Sequence, residues 1–214
     1  MPVKIYITGC ARSGTTLLAR LFHSFEGVEV MNQEVSLSEF CDVEPIKNIL
    51  VGKRTEQSLF SNTLSTKNIA SQRELISIHG ICVINCIRDG RDVVHAWVKA
   101  WGMYDPFAWM NAVDQSRFYP ITIAHTVRYE ELLSKPDVVQ GKLMRRFPDL
   151  QKQHDFSLYP SFVPDYCFPT MDERYRLRPI TAPVRLQSAT YLKRPNDIIY
   201  FEHLLKELGY HVRN

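Results

Sequence analysis

Apolar positions fall in short runs separated by amphipathic stretches, the alternation of a chain that passes repeatedly between strand and helix. The run Val3-Lys4-Ile5-Tyr6-Ile7-Thr8 predicts a first strand over 3–8. A glycine-bearing loop and a helix over about 15–25 follow, then a short strand at 28–31. Residues 36–62 mix helical spacing with polar turns at Glu44-Pro45 and Val51-Gly52-Lys53, and predict two or three helices. Residues 70–79 read as a helix, and 80–87 as a nearly unbroken apolar run, the mark of a strand buried on both faces. Helices at 92–101 and 105–116, a strand at 121–127 and a helical segment from Glu130 continue the alternation. Residues 148–185 carry prolines and aromatics without a period and predict an irregular excursion, a candidate lid over a site. An amphipathic helix over 198–208 stops at Gly209. The order predicts an α/β three-layer sandwich, a mostly parallel sheet with helices on both faces and ligands at the carboxyl ends of its strands.

Composition narrows this picture little. The 214 residues fit one domain spanning 1–214, with 45% hydrophobic and 23% charged residues, values that exclude a largely disordered chain. A net charge of +3 suits an anion pocket and argues against a nucleic-acid partner, which would need a basic stripe. The five cysteines, Cys10, Cys41, Cys82, Cys86 and Cys167, have neither disulfide nor zinc spacing and read as reduced, mostly buried thiols. With no charged leader and no apolar stretch near ~20 residues, the sequence predicts a soluble, cytoplasmic protein without a membrane span.

The chemistry begins in the first loop. Residues 9–16 read G-C-A-R-S-G-T-T, and Gly9 and Gly14 hold the spacing of the nucleotide-binding P-loop, G-x-x-x-x-G-K-[ST]. Thr15 stands where that loop has its lysine, the group that grips the terminal phosphates of ATP or GTP. The phosphate cradle is kept while the NTPase chemistry is not, and Arg12 supplies a cation inside the loop. Three further strings follow. Arg88-Asp89-Gly90-Arg91-Asp92-Val93-Val94-His95 leaves the buried strand, with Arg88 able to face a phosphate and Asp92 predicted to cap the next helix. Val127-Arg128-Tyr129-Glu130-Glu131-Leu132 ends the last strand, and Leu208-Gly209-Tyr210 ends the C-terminal helix.

In this order and spacing the strings resemble the sulfotransferases that use 3′-phosphoadenosine 5′-phosphosulfate (PAPS). The loop A-R-S-G-T-T is similar to that family's 5′-phosphosulfate loop, R-D-G-R-D to its 3′-phosphate motif, R-Y-E-E-L to its Y-E-D-L segment and L-G-Y to its usual ending. Thr66-Lys67-Asn68, ahead of the predicted 70–79 helix, is similar to a further short motif. The resemblance covers residues 3 to about 140 and resumes near 185. It implies that Ala11, Arg12, Ser13, Gly14, Thr15 and Thr16 form the 5′-phosphate cradle, with the backbone N–H groups of Ser13 to Thr16 as donors and Arg12 neutralising the leaving phosphate. It also implies that Arg88 binds the 3′-phosphate, that Tyr129 lies near the adenine, and that no metal is required. One departure is Ala96, eight residues after Arg88, where members usually place a serine hydroxyl. Another is the late basic segment, for which Arg185, Ser188, Lys193 and Arg194 are the candidates.

Such an enzyme needs a base for the acceptor. Glu34 follows the second strand about where glutamate-using members carry theirs and is the first choice, against a plain helix-start glutamate beside Ser36 and Ser38. His79 and His95 are the other candidates. The expected reaction is sulfuryl transfer to a hydroxyl or amine of a small-molecule, saccharide or peptide acceptor. Tyr159, Phe162, Tyr166, Phe168 and Tyr175 are candidates for the acceptor pocket, with plain packing as the other reading. Two rivals stay open: a P-loop kinase or NTPase with an atypical loop, and a non-catalytic nucleotide-binding protein on a decayed sulfotransferase fold.

Overall fold

A computed structural model of the chain describes residues 3–54, 66–102, 104–117, 124–159, 161–167 and 195–210; for 66–71 and 195–198 only the backbone is described. Its centre is a five-stranded parallel sheet in the order β3-β4-β1-β5-β6, built from β1 (Val3–Gly9), β3 (Val28–Val35), β4 (Ile49–Arg54), β5 (Ile81–Ile87) and β6 (Ala124–Arg128). Two short strands, β2 (Phe25–Glu26) and β7 (Gln151–Lys152), pair antiparallel beside it. Side chains alternate across β1, so Ile5 and Ile7 face one core and Tyr6 the other. The first core packs against α1 (Thr15–Leu21), α6 (Tyr129–Ser134) and α7 (Pro136–Arg146) through Leu18, Leu21, Leu132 and Leu143. The second packs against α2 (Leu37–Asp42) and α3 (Thr66–Ile78) through Phe40 and Ile76. A third cluster joins α4 (Gly90–Trp101), α5 (Pro106–Arg117) and α8 (Pro195–Glu207) beside the first loop, with Trp97, Trp109 and Phe201 at its centre. The three-layer α/β sandwich expected from the sequence is therefore the observed architecture. Among the described residues no helix is long and apolar enough to cross a membrane.

The clearest departure lies at 36–62. Ile49–Arg54 is not helical but a strand, β4, between β1 and β3, and among the described residues of 36–62 the helix is α2. The apolar part of β4 is just Ile49-Leu50-Val51, too short to carry a period, and Gly52 and Lys53 read as a turn. Both residues have other work. Gly52 lets the ring of Phe40 lie flat on the strand, since a Cβ there would come 2.5 Å from Cδ2 and Cε2 of that fully buried ring. Gly52→Ala is accordingly expected to cost about 1–3 kcal/mol by overpacking, a fall in melting temperature of about 3–10 °C for a domain of this size that calorimetry would read. Lys53 is 8% exposed and turns toward the first loop.

Smaller differences concern boundaries. β3 runs on to Val35, and α4 starts at Gly90 rather than 92. Asp89, not Asp92, is therefore its cap, and the Asp89 carboxylate accepts the Arg91 N–H at 3.0 Å. Thr66-Lys67-Asn68 opens α3 instead of preceding it. In the 148–185 stretch, Tyr159 and Phe162 pack with the first core, Tyr166 is 66% exposed, and Phe168 and Tyr175 lie outside the described residues. Arg185, Ser188, Lys193 and Arg194 lie outside them as well.

Candidate functional site

The five parallel strands end side by side, and their carboxyl ends carry most of the candidate residues. The loop after β1 makes its turn with Arg12 at φ 67° and Gly14 at φ 94°, both left-handed. Gly14 is doubly constrained, because a Cβ there would also sit 2.3 Å from Cδ2 of Tyr129. Gly14 precedes α1 without a side-chain cap, so the first amides of α1, at Thr15 and Thr16, have no carbonyl of their own helix to meet. Together with the helix dipole these amides favour an anion. The Ser13 N–H does not join them: it closes the turn on the Cys10 carbonyl at 3.0 Å.

The loop is braced from behind. The Trp97 indole donates to the Ala11 carbonyl at 3.1 Å, and the Cys86 thiol donates to the Ser13 carbonyl at 2.9 Å. Burial pushes that thiol up to about 12, with the Glu130 charge adding to the shift, so it stays a donor at neutral pH. The Ser13 hydroxyl is buried and, among the described residues, has no hydrogen-bond partner. All five cysteines are free, as the spacing predicted, and Cys10 is buried beneath the loop.

Arg88 reaches over from the end of β5. Its guanidinium stacks on the Tyr129 ring at 4.5 Å and donates to the Arg12 carbonyl at 2.9 Å, while its buried Nε has no partner among the described residues. Tyr129 is thus wedged between Gly14 and Arg88 and holds the 88 loop against the cradle. Arg12 itself is exposed, with its guanidinium 5.7 Å from the Trp101 ring centroid. Arg88, Arg12 and the loop amides form one cationic face. Ala96 lies in α4 with only a methyl to offer.

On the other side of the loop stands a pair whose second member the motif reading missed. β3 places three residues between Val30 and Glu34 where β4 places one, Gly52, between Val51 and Lys53, and this bulge brings the Glu34 carboxylate against Lys53. The Lys53 ammonium lies 2.9 Å from Glu34 Oε1 and donates to the Thr16 hydroxyl at 2.8 Å. A chain of contacts therefore runs from an acidic side chain, 30% exposed, through a lysine into the anion loop. The helix-start role belongs to Glu39, which forms a capping box with Ser36. The bulge has no marker in composition, and Lys53 follows the short apolar run Ile49-Leu50-Val51 in what reads as a polar turn, so no sequence signal pointed to it.

The histidines are placed elsewhere. His79 is exposed in the turn that precedes β5, at the opposite edge of the sheet, about 20 Å away by strand rise. His95 sits partly exposed in the second turn of α4. His23, further along the α1 side, lies 3.2 Å from the Cys167 sulfur, and its pKa is lowered to about 4 by burial and by Lys47.

Neither a family model nor a curated protein sequence matches the chain. Solved structures do. The sulfotransferase domain of the Synechococcus PCC 7002 olefin synthase superposes with a TM-score of 0.66 at 13% identity, covering 100% of this chain and 96% of that one. The sulfotransferase domain of the curacin biosynthetic pathway gives 0.57 at 15% identity, covering 100% and 99%. Mouse sulfotransferase SULT7A1, solved in complex with PAP, gives 0.53 at 13% identity, covering 96% and 84%. At these identities the likeness establishes the fold: the chain has the sulfotransferase fold.

Proposed function

We propose that the protein is a sulfotransferase that moves the sulfuryl group of PAPS onto a hydroxyl or amine. The observation that carries the reading is the Glu34–Lys53–Thr16 chain, which joins a carboxylate to the anion loop. In the proposed reaction the acceptor oxygen or nitrogen attacks sulfur in line as its proton passes to the Glu34 carboxylate. The bond from sulfur to the bridging oxygen breaks, and that oxygen leaves with the electron pair as part of adenosine 3′,5′-bisphosphate. Lys53 and the amides of Thr15 and Thr16 meet the charge that develops there, and Arg12 adds to them by leaving Trp101. Arg88 takes the 3′-phosphate through the guanidinium edge that its stacking on Tyr129 leaves free for an anion.

The same contact disfavours a kinase. In a P-loop NTPase the hydroxyl after the lysine holds magnesium, whereas the Thr16 hydroxyl accepts from an ammonium, which would repel a divalent cation. Ala96 favours a second reading, a nucleotide-binding protein without turnover, because it removes one usual anchor of the 3′-phosphate.

Thermal unfolding with adenosine 3′,5′-bisphosphate, 5′-AMP and Mg-ATP at equal concentrations separates the readings. Saturation at a hundred times the dissociation constant adds about 2.7 kcal/mol, a rise of about 5–10 °C. The expected result is a shift with the bisphosphate well above that with 5′-AMP. A shift confined to Mg-ATP would overturn the proposal, and bisphosphate binding without transfer from PAPS to a panel of hydroxyl and amine acceptors would favour the non-catalytic reading.

A further inference from the structure

The peptide that joins Arg88 to Asp89 is held at both of its polar atoms by side chains of other elements. Its carbonyl accepts from the Trp109 indole of α5 at 3.0 Å, and its N–H donates to Glu130 Oε1 of α6 at 2.8 Å. Fixing that plane fixes the direction in which Arg88 leaves the chain and the residue that caps α4. Glu130 is held in turn. Its Oε2 accepts from the Tyr210 hydroxyl at 3.0 Å, and burial together with the neighbouring carboxylate raises the Tyr210 pKa, so the phenol remains a donor. Tyr210 is anchored independently: its N–H donates to the Leu205 carbonyl at 2.8 Å, and the Arg128 guanidinium lies over its ring at 5.1 Å while donating to the Leu208 carbonyl. The end of α8 is thus tied, through one carboxylate, to the backbone of the arginine at the cradle.

We infer that Glu130 and Tyr210 are positioning residues for Arg88, so that the Leu208-Gly209-Tyr210 segment sets how strongly the site prefers a nucleotide carrying a 3′-phosphate. The inference rests on the reading that Arg88 takes that phosphate. Neither residue need touch the nucleotide. A carboxylate without Tyr210 would be free to swing away from the Asp89 N–H, and the peptide plane would lose one of its two restraints.

The test compares the dissociation constants of 5′-AMP and adenosine 3′,5′-bisphosphate, whose ratio isolates the 3′-phosphate. Glu130→Ala is expected to lower that ratio about tenfold and Tyr210→Phe about threefold, the scale of one to two lost hydrogen bonds. Glu130→Gln, which can accept from Asp89 and donate to the Tyr210 oxygen, should stay within about twofold of wild type. Hydrogen exchange at the Asp89 amide gives a second readout, with protection kept in the glutamine variant and lost in the alanine variant. A lowered ratio in Arg88→Ala with an unchanged one in Glu130→Ala, equal weakening of both nucleotides, or an unprotected Asp89 amide in wild type would each overturn the positioning role. A wild-type ratio near one, or a ratio that Arg88→Ala leaves intact, would instead overturn the reading of Arg88 itself, and with it this assignment.

Discussion

Glu34→Gln is expected to lower acceptor-dependent formation of adenosine 3′,5′-bisphosphate from PAPS by about 10²–10⁴-fold, the usual worth of a general base. Affinity for the bisphosphate should stay within about threefold. The amide is nearly isosteric, and its oxygen can still accept from Lys53, which the carboxylate meets at 2.9 Å, so the bulge that carries residue 34 keeps its support. Only the capacity to take a proton is lost. The fall should appear in kcat rather than KM, because the lost interaction belongs to the transition state. Loss of the ion pair leaves the 8%-exposed Lys53 ammonium with the Thr16 hydroxyl and the glutamine oxygen as its partners, so a melting curve on the same variant separates lost stability from lost catalysis. Initial rates and a binding isotherm on the same preparation would check both halves. A kcat within threefold of wild type would remove Glu34 as the base and leave His95, since His79 lies at the far edge of the sheet.

How much of this was legible depends on whether a residue's role is local in sequence. The loop, the buried strand and the helices after them were readable because their signals are contiguous: Gly9 and Gly14 at fixed spacing, a continuous run from Ile81 to Ile87, and strings of charge where strands end. β4 was not, because three apolar residues followed by Gly-Lys carry no period. What makes Ile49–Arg54 a strand is pairing with β1 and β3 on either side, a tertiary fact. The same blindness hid Lys53, whose partners lie 19 and 37 positions away in sequence. Tyr129 shows a different limit. Its motif was visible and suggested a partner for the adenine, yet what fixes the ring is the missing Cβ of Gly14 on one side and Arg88 on the other. Asp89 and Asp92 were separated only by where α4 begins, a boundary that two aspartates three apart leave open.

Lys53 carries the other large expected effect. A P-loop normally takes its cation from the position that Thr15 occupies here; this chain brings one in from the neighbouring strand, with the ammonium 2.8 Å from the Thr16 hydroxyl at the start of α1. Lys53 is 8% exposed, so its charge acts where water screens it weakly. Lys53→Met keeps the apolar stem and removes that charge, and is expected to lower kcat about 10²–10³-fold, the cost of deleting one preorganised donor to a developing oxyanion. Lys53→Arg should recover part of the loss, because a guanidinium restores the charge in a different shape. Since Lys53 touches both Glu34 and Thr16, its loss and that of the base should not add. The double variant with Glu34→Gln is expected to fall well short of the product of the single effects. Full multiplicativity would mean that lysine and carboxylate act independently, and a Lys53→Met enzyme with unchanged kcat would reduce the contact with Thr16 to a structural one.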